Sequence, residues 1–522
     1  MKPIAVFIAL VAACAGLGAQ RGAAPPAPSS AAFHLEEATI AEIHDALRTR
    51  ALTCRSLVEQ YLARIDALDK RGPSVNAVVL INPEALTTAD ELDRRAASGG
   101  PMRPLECVPV VVKDNYETKG LRTTAGSRAL EGFIPARDAF AVRKMREAGA
   151  IVLAKSNMAE FAFSPYETVS SILPGWTFNP YAVNRSSAGS SGGSAVAMAM
   201  NFGSVSLGSD TGNSIRGPAS HQSLVGIRST MGLVSRSGVV PLSMLADIAG
   251  PITRTVEDAV AVLQVIAGED PDDPVTLTSH GHIPASYASF LKKDGLKGAR
   301  IGVLHEAYER GNAQVDPDIA RVFAAALAEL KAAGAEIVDP AKVEGLPQRA
   351  RGVGSCRGFK YDLEHYLAGV GAVAPVYTLE EIIKALSSGP AINAAVRARL
   401  EGSRTTEENG DDSPGCVADR EYRQKFGAAV VQTMDALKID AFVYPTWSNV
   451  PRLIGDLSSP AGDNSQVYSP TSGFPAINVP MGFTRNDTLP IGMTLFGRAW
   501  DEGTLIRLAY AYEQATHHRR KP

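Results

Sequence analysis

The sequence predicts a single large α/β domain, with a mixed, mostly central β-sheet covered by helices on both faces. Three observations predict it. Short β-branched apolar runs alternate with longer amphipathic stretches along most of the chain. Two of those runs deliver polar residues at their carboxyl ends: Lys113 and Asp114 follow residues 108–112, and Lys155, Ser156 and Asn157 follow residues 150–154. Open α/β sheets gather their binding and catalytic groups at such ends. No internal repeat or long linker divides the chain.

Each element has a local reason. Residues 38–50 and 56–68 place apolar side chains at helical spacing, with Thr53 and Ser56 as caps. Residues 75–81 form an apolar strand, and 83–98 a helix ended by Gly99, Gly100 and Pro101. The strand at 108–112 is followed by a helix at 138–148, which Gly149 ends before the strand at 150–154. In the middle of the chain, residues 186–219 hold two Gly/Ser-crowded loops. These bracket an apolar run, 195–202, and a β-like stretch, 204–207. Residues 224–227 are strand-like, 243–249 a loop, 255–267 a helix capped at Thr255, and 271–274 a turn. Residues 299–304, 317–333 and 335–338 form a β-α-β unit within the same domain. The polar stretch 401–415 reads as an exposed loop. Strands at 441–446, 477–480 and 492–496 precede a closing amphipathic helix at 502–516.

The 522 residues are 45% hydrophobic and 20% charged, with a net charge of −3. That is ordinary for a soluble globular protein, and it gives no support for a nucleic-acid partner. Beyond the N-terminus no apolar stretch has the length of a membrane span. Met1 and Lys2, the apolar residues 4–15 and the small residues 16–19 read as a secretory signal peptide, 1–19, cleaved after Ala19. An exported protein, periplasmic or extracellular, is therefore expected. Residues 11–14 also read as a bacterial lipobox, which makes a lipid anchor at Cys14 the alternative. Residues 20–33, rich in Ala, Pro and Ser, read as a disordered tether, leaving 34–522 as the domain. Cys54, Cys107, Cys356 and Cys416 then allow three disulfide connectivities. Cys356 with Cys416 is the first pair to test, since both sit in glycine-containing loops. No CxxC or HExxH spacing occurs, so neither a metal nor a cofactor is expected.

The central loops carry the chemistry. Gly, Ser, Thr and Asn expose backbone N–H groups and small hydroxyls. Such loops suit either an anion cradle or a nucleophile with an oxyanion hole. Ser190, Ser214 and the strand-end Lys113 stand out. A serine needs a base before it attacks, yet none of the nine histidines sits in a loop suited to that task. His221 reads as packing behind the Ser214 loop, His517 and His518 as a solvated tail, and Lys155 as structural. A buried lysine held neutral is a base of another kind.

GSSGGS at 189–194, DTGNSIRGPAS at 210–220 and VPVVVKDN at 108–115 closely resemble the amidase signature family. The resemblance continues through GVVPLSMLADIAGPITRTVEDA at 238–259, GFPAINVPMGF at 473–483 and the closing LIRLAYAYEQATHHRRKP. It thus spans nearly the whole mature chain. RGFKYDLEHYLAGVGA at 357–372 adds likeness to the amidase and peptide-amidase group. The resemblance implies an amidase that cleaves carboxamides to an acid plus ammonia or an amine through a Ser–cis-Ser–Lys triad. In it Ser214 is the nucleophile that forms the acyl-enzyme. Ser190, after a cis Gly189–Ser190 peptide, relays the proton, and Lys113 is the base that later protonates the leaving amine. Backbone N–H groups of Thr211, Gly212, Asn213 and Ser214 form the oxyanion hole.

By the same resemblance Ser191 hydrogen-bonds within the triad, and Asp210 and Arg216 brace the nucleophile loop. Thr446, Trp447 and Asn464 fall where relatives shape the acyl pocket, with a core role equally open. One departure stands out, because Asn213 replaces the second glycine of the family's Gly-Gly-Ser. Were that position to need φ > 0, Asn tolerates it best, and the entrance to the oxyanion hole would narrow. The expected partner is a small-molecule or peptide amide substrate, without nucleic acid or a membrane span. The alternatives are a glutamyl-tRNA amidotransferase A-like subunit and a catalytically silent binding protein.

Overall fold

The computed structural model describes residues 33–163, 167–173, 175–309, 315–343, 356–406, 409–410, 412–456 and 458–522. The leader at 1–19, Cys14 and, apart from Phe33, the tether at 20–33 lie outside the described residues. Among the described residues the strands are β1 (Val78–Ile81), β2 (Pro109–Lys113), β3 (Ile151–Ser156), β4 (Phe178–Asn179), β5 (Ala182–Ser186), β6 (Val205–Asp210) and β7 (Val225–Arg228). They continue with β8 (Ile248–Thr253), β9 (Arg300–Val303), β10 (Glu336–Val338), β11 (Ala441–Pro445), β12 (Ala476–Thr484) and β13 (Leu489–Phe496). Eleven of them make one sheet in the order β1-β3-β2-β6-β8-β7-β12-β13-β11-β9-β10, while β4 and β5 pair separately.

The sheet is mixed in a regular way. The wing β3-β2-β6 and the wing β11-β9-β10 are parallel. The strands between them, β6-β8-β7-β12-β13-β11, run antiparallel. Parallel neighbours need a crossover. The helices Phe140–Glu147 and Pro317–Ala332 supply it, between β2 and β3 and between β9 and β10. The β-α-β unit at the chain's middle therefore extends the same sheet, as one domain requires.

Local chemistry sets the element ends. Thr39 and Thr53 close capping boxes on the helices Ile40–Arg48 and Cys54–Ile65, and Thr255 accepts from the Asp258 N–H to start Val256–Ile266. Gly149 takes φ +97°, and a Cβ there would stand 2.7 Å from Glu106 Oε2.

Every residue of β2 is buried, as a strand covered on both faces must be. Val110 and Val112 join one apolar cluster and Val111 another. Successive side chains of a strand point to opposite faces, so these clusters are the two faces of the sheet. The apolar run at 195–202 supplies the helix Gly192–Ala199, which is wholly buried in the second cluster.

A third cluster joins Leu130, Phe133, Phe161 and Phe163 to the helices Phe359–Gly369, Leu379–Ser387 and Ala394–Ser403. These helices form a cap beside the central loops.

Two stretches differ from the sequence reading. β8 begins at Ile248, inside the span 243–249 read as a loop. Residues 401–415, read as an exposed loop, hold the end of the helix Ala394–Ser403 and the start of Pro414–Leu437. That long helix was hidden because Cys416, Asp419, Gly427 and Thr433 share its buried face with Phe426 and Val430, which breaks the apolar repeat.

Cys356 pairs with Cys416, and Cys54 with Cys107. The basic tail is anchored rather than solvated beyond His517. His518 Nε2 lies 2.8 Å from Glu329, Arg519 pairs with Glu37 at 2.9 Å, and Lys521 pairs with Glu36. The two ends of the described chain are thereby clasped together.

Candidate active site

Lys113 closes β2 with its side chain fully buried. Its Nζ donates to Ser190 Oγ at 2.7 Å, to Ser209 Oγ at 2.8 Å and to Ser209 O at 3.3 Å. Burial pulls the pKa of this amine from its ordinary value of 10.5 down to about 7, against the opposing pull of Asp247 and Asp210. Ser190 follows a cis Gly189–Ser190 peptide and stands just ahead of the helix Gly192–Ala199. Side chains at Gly192 or Gly193 would collide with the Thr168 hydroxyl and the Asn157 backbone, which is why the chain needs glycine at this turn.

Ser214 sits between β6 and the helix Arg216–His221. It faces a cavity of about 620 Å³ whose wall also includes Thr211, Gly212, Asn213, Phe163 and Val396. The cap helix Ala394–Ser403 thus roofs the loop that carries Ser214. Among the described residues the N–H groups of Thr211, Gly212, Asn213 and Ser214 donate to no protein acceptor. Free amides at the floor of a cavity are what an oxyanion needs.

Below the loop lies a buried ion cluster. Asp210 Oδ2 accepts from Ile215 N at 3.1 Å and Arg216 Nε at 3.1 Å, and its Oδ1 meets Arg228 Nη1 at 3.2 Å. These two guanidiniums overcome the cost of burial and hold the Asp210 carboxyl down at about 2. Arg216 Nη2 also donates to Gly212 O at 2.7 Å and to Ser465 O at 3.2 Å. The pair therefore braces the loop at 211–215 from beneath.

The other residues singled out from the sequence fall into two groups. Ser191 Oγ donates to Ser209 O at 3.2 Å and reaches no atom of the three principal side chains. Asn213 is buried without a positive φ, so the backbone there does not ask for glycine. Its amide turns inward, where a Cβ on Gly217 would strike it. Thr446 donates to Asn478 Oδ1 at 2.7 Å, and Asn464 Nδ2 to Pro445 O at 2.7 Å. Trp447 Nε1 donates to Gly217 O at 3.1 Å, and its ring stacks on His221 with centroids 4.5 Å apart.

These three residues lie behind the helix Arg216–His221 and take no part in the cavity wall. Desolvation drops His221 to about 3, so it packs as a neutral ring. Lys155 pairs with Asp114 at 3.2 Å and donates to Tyr116 O at 2.8 Å, a structural tie.

Two residues were not visible in the sequence as parts of the site. Ser209 accepts from both Lys113 and Asn115, the latter at 3.0 Å. Asp247 accepts the Thr211 hydroxyl. The signal for Ser209 was its position just before Asp210, at the end of a strand that neighbours β2.

The profile of the family described as Amidase matches residues 56–506. A probable amidase of Arabidopsis thaliana is 35% identical over 96% of this chain and 94% of its own length. The A-type subunit of the glutamyl-tRNA(Gln) amidotransferase of Microcystis aeruginosa is 35% identical over 93% of this chain and 99% of its own. Among solved structures, the native peptide amidase of Stenotrophomonas maltophilia superposes with a TM-score of 0.83 at 36% identity, covering 93% of this chain and 98% of that one. The peptide amidase PAM in complex with the competitive inhibitor chymostatin gives 0.84 at 35% identity, over 94% and 100%. Fold and relatives together define a hydrolase of amide C–N bonds. The chain belongs to the amidase signature family.

Proposed function

We propose that the protein hydrolyses carboxamides, peptide amides among them, through an acyl-enzyme on Ser214. The observation that carries this reading is the 2.7 Å hydrogen bond from the buried Lys113 amine to Ser190; Ser214 and its free loop amides, which line the cavity, are the other half of the proposal. Lys113, neutral in about half of the molecules at about pH 7 and in most above it, draws a proton from Ser190 as Ser190 takes one from Ser214. Ser214 Oγ attacks the amide carbon, and the loop N–H groups at 211–214 receive the oxyanion. The proton returns along the same path to the leaving nitrogen, and water then releases the acid.

A fluorophosphonate probe tests it. Wild type is expected to label and to release ammonia from primary amides. Ser214→Ala is expected to do neither, and folded wild type that stays unlabelled refutes the reading.

The amidotransferase relatives support a second reading, in which the chain supplies ammonia to a partner enzyme. The higher TM-score with peptide amidase, 0.83 against 0.68 for the A-type amidotransferase subunit of Thermotoga maritima, favours the hydrolase. Export through the segment 1–19 belongs to the same proposal. Two disulfides in the described residues support it, since such bonds persist in oxidising compartments. No helix among the described residues is long and apolar enough to cross a membrane. Sequencing the N-terminus of secreted or periplasmic protein tests the cleavage after Ala19.

A further inference from the structure

Asp247 is not one of the three principal groups, yet it holds the loop that carries Ser214 through Thr211 and acts electrostatically on Lys113. It ends the turn that leads into β8, whose register on β6 places Ile248 opposite Asp210. That pairing brings its carboxylate beside the loop that begins at Thr211. Asp247 Oδ2 accepts from Leu242 N at 2.8 Å and Ser243 N at 3.0 Å, which fastens its own turn. Oδ1 accepts the Thr211 hydroxyl. The turn is anchored in addition from the cap, where Asp362 accepts from Met244 N at 2.9 Å.

Burial pushes the Asp247 carboxyl above its ordinary value while the hydrogen bonds from Thr211, Ser243 and Leu242 favour its charged form, and no close ion pair among the described residues consumes that charge. The cations that feel it are Lys113, Arg228 and Arg236. Arg228 is already paired with Asp210, and Arg236 with Asp273. The other titratable groups facing this space are the Tyr116 phenol and Asp210. Of the two carboxylates acting on Lys113, Asp247 is the stronger.

We infer that Asp247 is a positioning residue of the hydrolysis. Through the Thr211 hydroxyl it fixes the loop whose N–H groups receive the oxyanion, and its negative charge bears on the Lys113 amine. The inference rests on the triad reading above and adds to it a residue that touches no substrate.

Two substitutions separate the arms. Asp247→Asn removes the charge and keeps a single oxygen, which can accept from Thr211 or from the Leu242 and Ser243 N–H groups but not from both sides. The rise of kcat/KM with pH is then expected to move about one pH unit lower, because the carboxylate no longer favours the protonated amine. Thr211→Val keeps the charge but removes the tie. There kcat is expected to fall about tenfold or more, with KM and the pH midpoint in place, as a displaced oxyanion donor acts only in the transition state.

Melting followed by circular dichroism establishes that each variant is folded. Should Asp247→Asn not fold, Thr211→Val and its kcat decide. An unmoved midpoint in folded Asp247→Asn overturns the charge arm, and wild-type kcat in Thr211→Val overturns the positioning arm. Wild type that neither labels at Ser214 nor hydrolyses any amide refutes the triad reading and this inference with it. Active wild type with two silent variants refutes this inference alone.

Discussion

Lys113 is the base of the proposed reaction, and burial decides its state. With its amine poised at about 7, kcat/KM is expected to rise roughly tenfold per pH unit below neutrality and to level above it, in a pH–rate profile on a neutral amide. Lys113→Met should remove that rise along with the activity. The same burial has a stability sign. The folded-state pKa lies below the unfolded one, so the cost of the buried charge is full below about pH 7 and vanishes above the lysine's ordinary pKa. Lys113→Met is therefore expected to raise the melting temperature more at about pH 6 than at about pH 10.

Asp210 has the opposite sign. Its carboxyl is held at about 2 by two guanidiniums, so its contribution is present above the usual carboxylate range and lost as pH falls through about 2. Asp210→Asn leaves Arg216 and Arg228 buried with their shared carboxylate gone. A loss of about 3–5 kcal/mol is expected in urea denaturation.

At this scale the sequence was legible where local context marks a residue. Ser190 and Ser214 announce themselves by their glycine-crowded loops, and Lys113 by a strand end. Ser209 and Asp247 carry no such mark, because strand pairing in three dimensions brings Ser209 to the amine and Asp247 to the loop at Thr211. Thr446, Trp447 and Asn464 were marked by a resemblance, but their surroundings are core.

Among the elements, the cap decides what reaches Ser214. The helix Ala394–Ser403 lends Val396 and Arg399 to the cavity wall. The chain on which it rides is closed by the Cys356–Cys416 bond over a sequence separation of 60. A loop of that length restricts the unfolded chain by about 4 kcal/mol in the entropy account. Cys356→Ser with Cys416→Ser is expected to lower the melting temperature and to raise KM more than it lowers kcat. Steady-state kinetics on the double variant checks this, since Lys113 ends β2 and Ser190 and Ser214 lie in loops outside the cap.

The elements themselves were legible in proportion to how cleanly they repeat. The β-branched run before Lys113 and the capped helix after Thr255 emerged from the sequence because their patterns are pure. The helix Pro414–Leu437 did not, since polar residues share its buried face. β8 was obscured by the turn residues that precede it.

For the molecule as a whole, one sheet unites two parallel wings around an antiparallel centre, with the Ser214 loop leaving β6 where the first wing meets that centre. The single domain was readable from the alternation of strands and helices. The order of the strands was not, because β8 enters between β6 and β7, which are consecutive in the chain, and β12 pairs with the distant β7. The contacts of Glu36 and Glu37 with Lys521 and Arg519 add a last consequence. Start and finish of the described chain are neighbours in space, and such chains tolerate circular permutation. A permutant that joins Pro522 to Phe33 through a short linker and opens at the exposed turn of Gly281, whose added Cβ would meet nothing within 4 Å, is expected to keep the wild-type circular dichroism spectrum and its Ser214 labelling.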